Sequence, residues 1–131
     1  MNDRLVVNTF NDFKYRQFLK DRCNLICNVA LDYLDSNFNN KYEMFIFGSY
    51  AKFLVTEDSD LDIFVVIDSD LSLKEIRDIR INMSMYIGDH SDYIMDFDLK
   101  IISRYYFEKA LENPTSFETH INSYMFKFVR R

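Results

Sequence analysis

Glycine and proline hardly occur in this chain: two and one in 131 residues, with no tryptophan at all. No Gly-, Pro- or Ser-rich linker divides it, and no repeat or low-complexity stretch interrupts it. A single domain over residues 1–131 is therefore expected. Cysteine is scarce as well. Cys23 and Cys27 stand four apart, and no second Cys or His pair completes a zinc site, so two buried free thiols are expected. His90 and His120 are isolated, and the chain offers no Ser-His-Asp or Cys-His set for covalent catalysis. No run approaches the ~20 apolar residues of a membrane span. The start, Met1-Asn2-Asp3-Arg4, lacks the charged and long apolar regions of a signal peptide, so a cytoplasmic location is expected. Positive charge is not in excess either. The net charge of −5 argues against an extended nucleic-acid surface, which needs clustered Lys and Arg.

What the chain has in quantity is aromatic: 13 phenylalanines and 9 tyrosines. Stacking on bases is one use for such residues, but these recur at core spacings. With 48% hydrophobic and 28% charged residues the composition is that of a globular domain. Residues 10–37 read as one long helix, with Leu19, Cys23, Ile26, Ala30 and Tyr33 on one stripe. Thr9 or Asn11 is its expected cap, and Asn37 to Asn40 its end. Residues 42–47 form a short apolar strand, 49–54 a short helix, 56–59 a polar turn, and 60–67 a second strand rich in β-branched residues. Ser72 and Glu75 are spaced as a capping box. They open a helix with Ile76, Ile79, Met83 and Tyr86 on one stripe, and Gly88 is its expected stop. Residues 92–102 read as a third strand. Ser103 caps a helix ending before Pro114. A second capping box, Thr115 with Glu118, opens a final helix bearing Phe117, Ile121, Met125 and Phe128. This order predicts an α/β (α+β) domain, with a small mixed sheet and helices mainly on one face.

One stretch names a chemistry. Residues 48–62 read Gly-Ser-Tyr-Ala-Lys-Phe-Leu-Val-Thr-Glu-Asp-Ser-Asp-Leu-Asp. Gly48 allows a turn that other residues resist and leaves room for a phosphate beside the main chain. Ser49 follows at the mouth of the short helix, where free N–H groups favour an anion. Asp60 and Asp62 stand two apart on a strand, so both side chains leave one face, about 6–7 Å apart. Such a pair suits Mg²⁺, a hard cation that shares phosphate oxygens. Lys52 is placed to neutralise a triphosphate oxygen or to stay solvated. Phosphate cradle and metal clamp together point to nucleotide chemistry, and a small nucleotide held through a metal is compatible with the acidic balance.

The Gly-Ser, ten residues, Asp-x-Asp spacing resembles the nucleotidyltransferase superfamily typified by DNA polymerase β. Within it, Gly-Ser-Tyr-Ala-Lys followed by Asp-Ser-Asp-Leu-Asp is similar to the minimal nucleotidyltransferases (MNT), over residues 42–68. The resemblance implies the polymerase β-like core, ATP as substrate, and Mg²⁺ in a two-metal site. It also implies a third carboxylate near the attacking hydroxyl. Asp98 is chosen, because Asp-Leu-Lys-Ile-Ile-Ser looks like the family's Asp before apolar residues and a helix start; Asp96, one pleat away, is the fallback. Members of that group are often antitoxins paired with a helical HEPN-type toxin, and they transfer AMP to its tyrosine. A HEPN-type partner follows as an expectation, with surplus apolar helix surface that would also suit a second copy. Phe53 and Leu54 stand where the family usually has Gly and a small or acidic residue. They motivate a second reading, an antitoxin that acts by binding alone. A third is transfer to a small molecule such as an antibiotic.

Overall fold

The computed structural model describes residues 2–47, 61–112 and 126–128. Helix α1 runs from Asn2 to Phe38, eight residues earlier than the sequence reading placed it. Thr9 and Asn11 are thus inside the helix rather than at its cap. No Gly or Pro stands before Gly48, so nothing interrupts the backbone ladder there. The predicted stripe is the buried one: Leu19, Cys23, Ile26 and Ala30 are buried, with Tyr33 packed beside them. The helix ends where expected, at Asn39, whose φ of 55° is left-handed, a conformation that Asn tolerates well.

Strand β1 (Tyr42–Phe47) pairs antiparallel with β2 (Leu61–Ile67). Helix α2 (Leu73–His90) then carries the chain back, so that β3 (Phe97–Ser103) lies parallel to β2. Helix α3 (Arg104–Glu112) follows Ser103 directly. A two-residue strand β4 (Phe126–Lys127) pairs antiparallel with β1. The sheet order is β3-β2-β1-β4, a small mixed α+β sheet of the polymerase β-like kind.

Alternation along the strands sorts the side chains. Leu61, Ile63, Val65 and Ile67 of β2, Met44 and Ile46 of β1 and Leu99 of β3 join the α1 stripe and Met83 and Ile87 of α2 in the main core. Tyr33 of α1 meets Tyr86 of α2 with ring centroids 5.4 Å apart. The opposite face carries a smaller cluster of Phe64, Val66 and Phe107, with Phe45 and Ile102 against it. Phe107 of α3 is its lid: its ring lies 6.0 Å from Phe45 and 5.8 Å from Phe64. Arg104 anchors the same helix, donating to Glu43 at 2.5 Å and to Asp68 at 2.7 Å. Partial burial alone would lower the guanidinium's pKa, but Asp68 and Glu43 overcome this and hold it above its ordinary value. Lys127 reaches Glu43 from β4 at 3.4 Å.

The capping box is present as read. Glu75 N–H donates to Ser72 Oγ at 3.1 Å, and Ser72 N–H to Glu75 Oε1 at 3.2 Å. Gly88 is not the stop; it lies buried inside the last turn of α2. A Cβ there would come within 2.3 Å of the Tyr93 ring, so Gly88 serves a close approach. The chain turns instead at Asp92 and Tyr93, with φ of 54° and 51°, and Tyr93 N–H donates to Gly88 C=O at 3.0 Å. This turn corrects the reading of residues 92–102 as one strand: the strand begins at Phe97. The alternating aspartates imitated a β pattern where the chain is reversing direction.

The final helix is corrected at its C-terminal end, since Phe126 and Lys127 are strand. Pairing with the outer edge of β1 satisfies backbone groups that a helix at this point would leave open. The expected helices at 49–54 and 115–125 lie otherwise outside the described residues. Cys23 and Cys27 are free and buried as expected. A hydrogen bond with Cys23, then burial, push the Cys27 thiol far up.

Candidate active site

Strand β2 is buried along its whole length except at one residue, Asp62, which is half-buried. A carboxylate in the middle layer of a sheet is costly to desolvate. Position 62 tolerates one because the α3 lid lies toward the other end of the strand, over Phe64 and Val66.

The register brings a second carboxylate to this place. Asp98 of β3 is the direct neighbour of Asp62 across the parallel ladder. Both side chains leave the same face, on strands roughly 4.8 Å apart, and Asp98 is exposed. Lys100 follows on that face, paired with Phe64. Two residues thirty-six positions apart in the chain thus form an acidic pair on one face of the sheet. Their oxygens suit a hard divalent cation. Among the described residues no group of three His, Cys, Asp or Glu side chains comes together as a metal cage.

Asp96, the fallback, lies before β3 rather than on it, and is exposed. Its main chain has a structural part, since its C=O accepts from Leu61 N–H at 3.4 Å and so sets the register of β3 on β2. Gly48, Ser49, Lys52 and Asp60 lie outside the described residues. So does His120. His90 is exposed, stacks on Tyr86 at 3.9 Å and faces the Tyr86 C=O through Nδ1.

One feature beside the site was not singled out from the sequence. A groove of about 410 Å³ runs between α2 and β3, lined by Arg80, Ile81, Ser84, Met85, Phe97, Asp98 and Leu99. The available signal was the basic spacing Lys74, Arg77, Arg80 on the outer side of α2.

A family model described as "Nucleotidyltransferase domain" matches residues 27–122. Comparison with curated proteins and with solved structures gave no match. The matched span contains β1, β2, α2, β3 and α3, with Asp62 and Asp98. The chain belongs to the nucleotidyltransferase domain family, and a nucleotidyl-transfer role comes with that membership.

Proposed function

We propose that this member of the nucleotidyltransferase domain family transfers AMP from ATP to a tyrosine hydroxyl of a HEPN-type helical partner, in the cytoplasm and with Mg²⁺. The observation that supports this reading is the in-register pair Asp62 and Asp98. Gly48 and Ser49 take the β- and γ-phosphates, and Lys52 a further triphosphate oxygen. Asp60, Asp62 and Asp98 are the residues that would hold Mg²⁺. A bound ion supplies neutralisation of phosphate charge and a better leaving group.

Asp98, the more exposed carboxylate of the pair, takes the proton of the acceptor hydroxyl. The freed oxygen forms its bond to the α-phosphorus. The bond from that phosphorus to the bridging oxygen breaks, and pyrophosphate leaves with the electron pair. No covalent enzyme intermediate is required. The chain contributes position and preorganised charge, which account for most of the rate gain in such reactions. Two carboxylates fixed by one ladder are preorganised in this sense, because neither strand can shift without breaking the register.

The test is incubation with the product of the neighbouring gene, ATP and Mg²⁺, followed by intact mass measurement. AMP units gained by the partner, and lost with Asp62→Asn, are the expected result. An unchanged partner mass contradicts it. A tight complex without mass gain favours the second reading, neutralisation by binding alone, for which Phe53 and Leu54 in the motif are the reason.

A further inference from the structure

Among the described residues β3 is an edge strand. Leu61 N–H donates to Asp96 C=O, so the alternation of a parallel ladder turns the N–H and C=O of Phe97, Leu99 and Ile101 away from β2. Among the described residues these donors and acceptors have no partner, and they form a template for another extended chain. The edge is not bare of side chains. Ile81 and Met85 of α2 flank it in the groove, 47% and 59% exposed, which is unusual for large apolar residues one helical turn apart. Arg80 joins them, with Arg77 and Lys74 on the preceding turns. All three are exposed and make no ion pair among the described residues, in a chain of net charge −5. The groove therefore combines open backbone, apolar anchors and unpaired positive charge, and it ends at Asp98.

We infer that the acceptor arrives as an extended acidic peptide segment that adds to the open edge of β3 and packs against α2. The inference rests on the transferase reading above, because it assigns the hydroxyl a route to Asp98. An added strand points alternate side chains to opposite faces. A hydroxyl residue level with Asp98 then lies on the acidic face of the sheet. Its two neighbours in the peptide turn to the other side, onto Ile81 and Met85, and an acidic residue beyond the Ile81 contact meets Arg80 and Arg77. The substrate class is a segment with a hydroxyl residue between two apolar ones and an acidic residue following on the side of Arg80 and Arg77.

The experiment is fluorescence anisotropy without nucleotide, on the full chain, with a labelled peptide Glu-Ser-Leu-Tyr-Leu-Ser-Glu. Saturable binding is expected, weakened about tenfold by Met85→Glu or by Arg80→Glu, as for the loss of a central interface contact. Replacing either peptide leucine by proline, which in an antiparallel addition removes the N–H that faces Phe97 or Leu99, has the same expected effect. Both substituted positions are exposed, and an unchanged thermal melt shows that the variants fold. Because no ATP is present, failure here leaves the transfer chemistry standing, and failure of ATP binding leaves the docking result standing. Three outcomes overturn the inference: no binding, binding indifferent to Met85→Glu and Arg80→Glu, or displacement of the peptide by single-stranded RNA at equal charge. Self-association of the chain that Met85→Glu abolishes would assign the groove to a second copy and overturn it too.

Discussion

The two sides of strand β2 are built from consecutive residues and behave differently. Leu61, Ile63, Val65 and Ile67 are 0% exposed beneath α1 and α2. Asp62, Phe64 and Val66 face the other way, and there burial depends on how far α3 reaches: Phe64 and Val66 are buried, Asp62 is not. The long helical layer fixes a complete apolar face. The short helix covers half of the opposite face and leaves a place where a carboxylate can keep part of its hydration. Asp98 enters that place by register alone. Among the described residues, the acidic pair lies where the helical cover stops.

This contrast can be broken by truncating each side. Ile63→Ala, in the full core, is expected to cost about 3–4 kcal/mol, the range for a large side chain removed where the surroundings cannot collapse. Phe107→Ala lifts the lid from the smaller cluster and is expected to cost about 3 kcal/mol. Urea denaturation measures both. A clearly larger loss at Phe107 than at Ile63 would show that the second face is no mere partial cover. The Phe107 variant should also raise exposure of Phe45 and Phe64, seen as faster hydrogen exchange in β1 and β2 with the α1 amides unaffected.

A second test concerns the core face at high pH. The folded chain holds the Cys27 proton far above the ordinary thiol range, through the bond with Cys23 and burial. The unfolded chain releases it near pH ~8.5. Above that pH the unfolded state binds fewer protons, so stability falls as pH rises, by up to about 1.4 kcal/mol per unit. The contribution is whole below pH ~8.5. Cys27→Ala is expected to flatten the slope in melts between pH 8 and 10 (roughly the interval set by the thiol's ordinary pKa). A slope that persists in the variant assigns it elsewhere.

The smallest effect is expected at Gly88→Ala. A new Cβ collides with the Tyr93 ring, but that residue is 69% exposed and can swing out, losing its hydrogen bond to Asp89. Alanine also gains about 1 kcal/mol of helix propensity over glycine. The net change should stay within about 1 kcal/mol, read from the thermal midpoint.

Much of the fold was legible because its signals were local. The α1 stripe, the Ser72–Glu75 box, strand β1 and the apolar run of β2 each depend on residues within one element. What was missed depends on distant partners. The start of α1 carries no cap signal, since the helix simply meets no breaker. The turn at Asp92 and Tyr93 hid inside an alternating pattern, and Phe126–Lys127 became a strand only because the edge of β1 was there to receive it. The site was half legible in the same sense. The Asp-x-Asp and the choice of Asp98 came from spacing and resemblance. That Asp98 is level with Asp62, while Asp96 precedes the strand, is a fact of register that no single segment contains.

The most direct measurement is calorimetric titration of ATP with Mg²⁺ into the wild-type chain, Asp62→Asn and Asp98→Asn, alongside their thermal melts. Mg²⁺-dependent binding is expected in the wild type, with its loss or at least about tenfold weakening in Asp62→Asn, weakening in Asp98→Asn, and melting midpoints that barely move because neither residue belongs to the buried clusters. Unchanged heats in both variants, with the fold intact, would contradict this expectation.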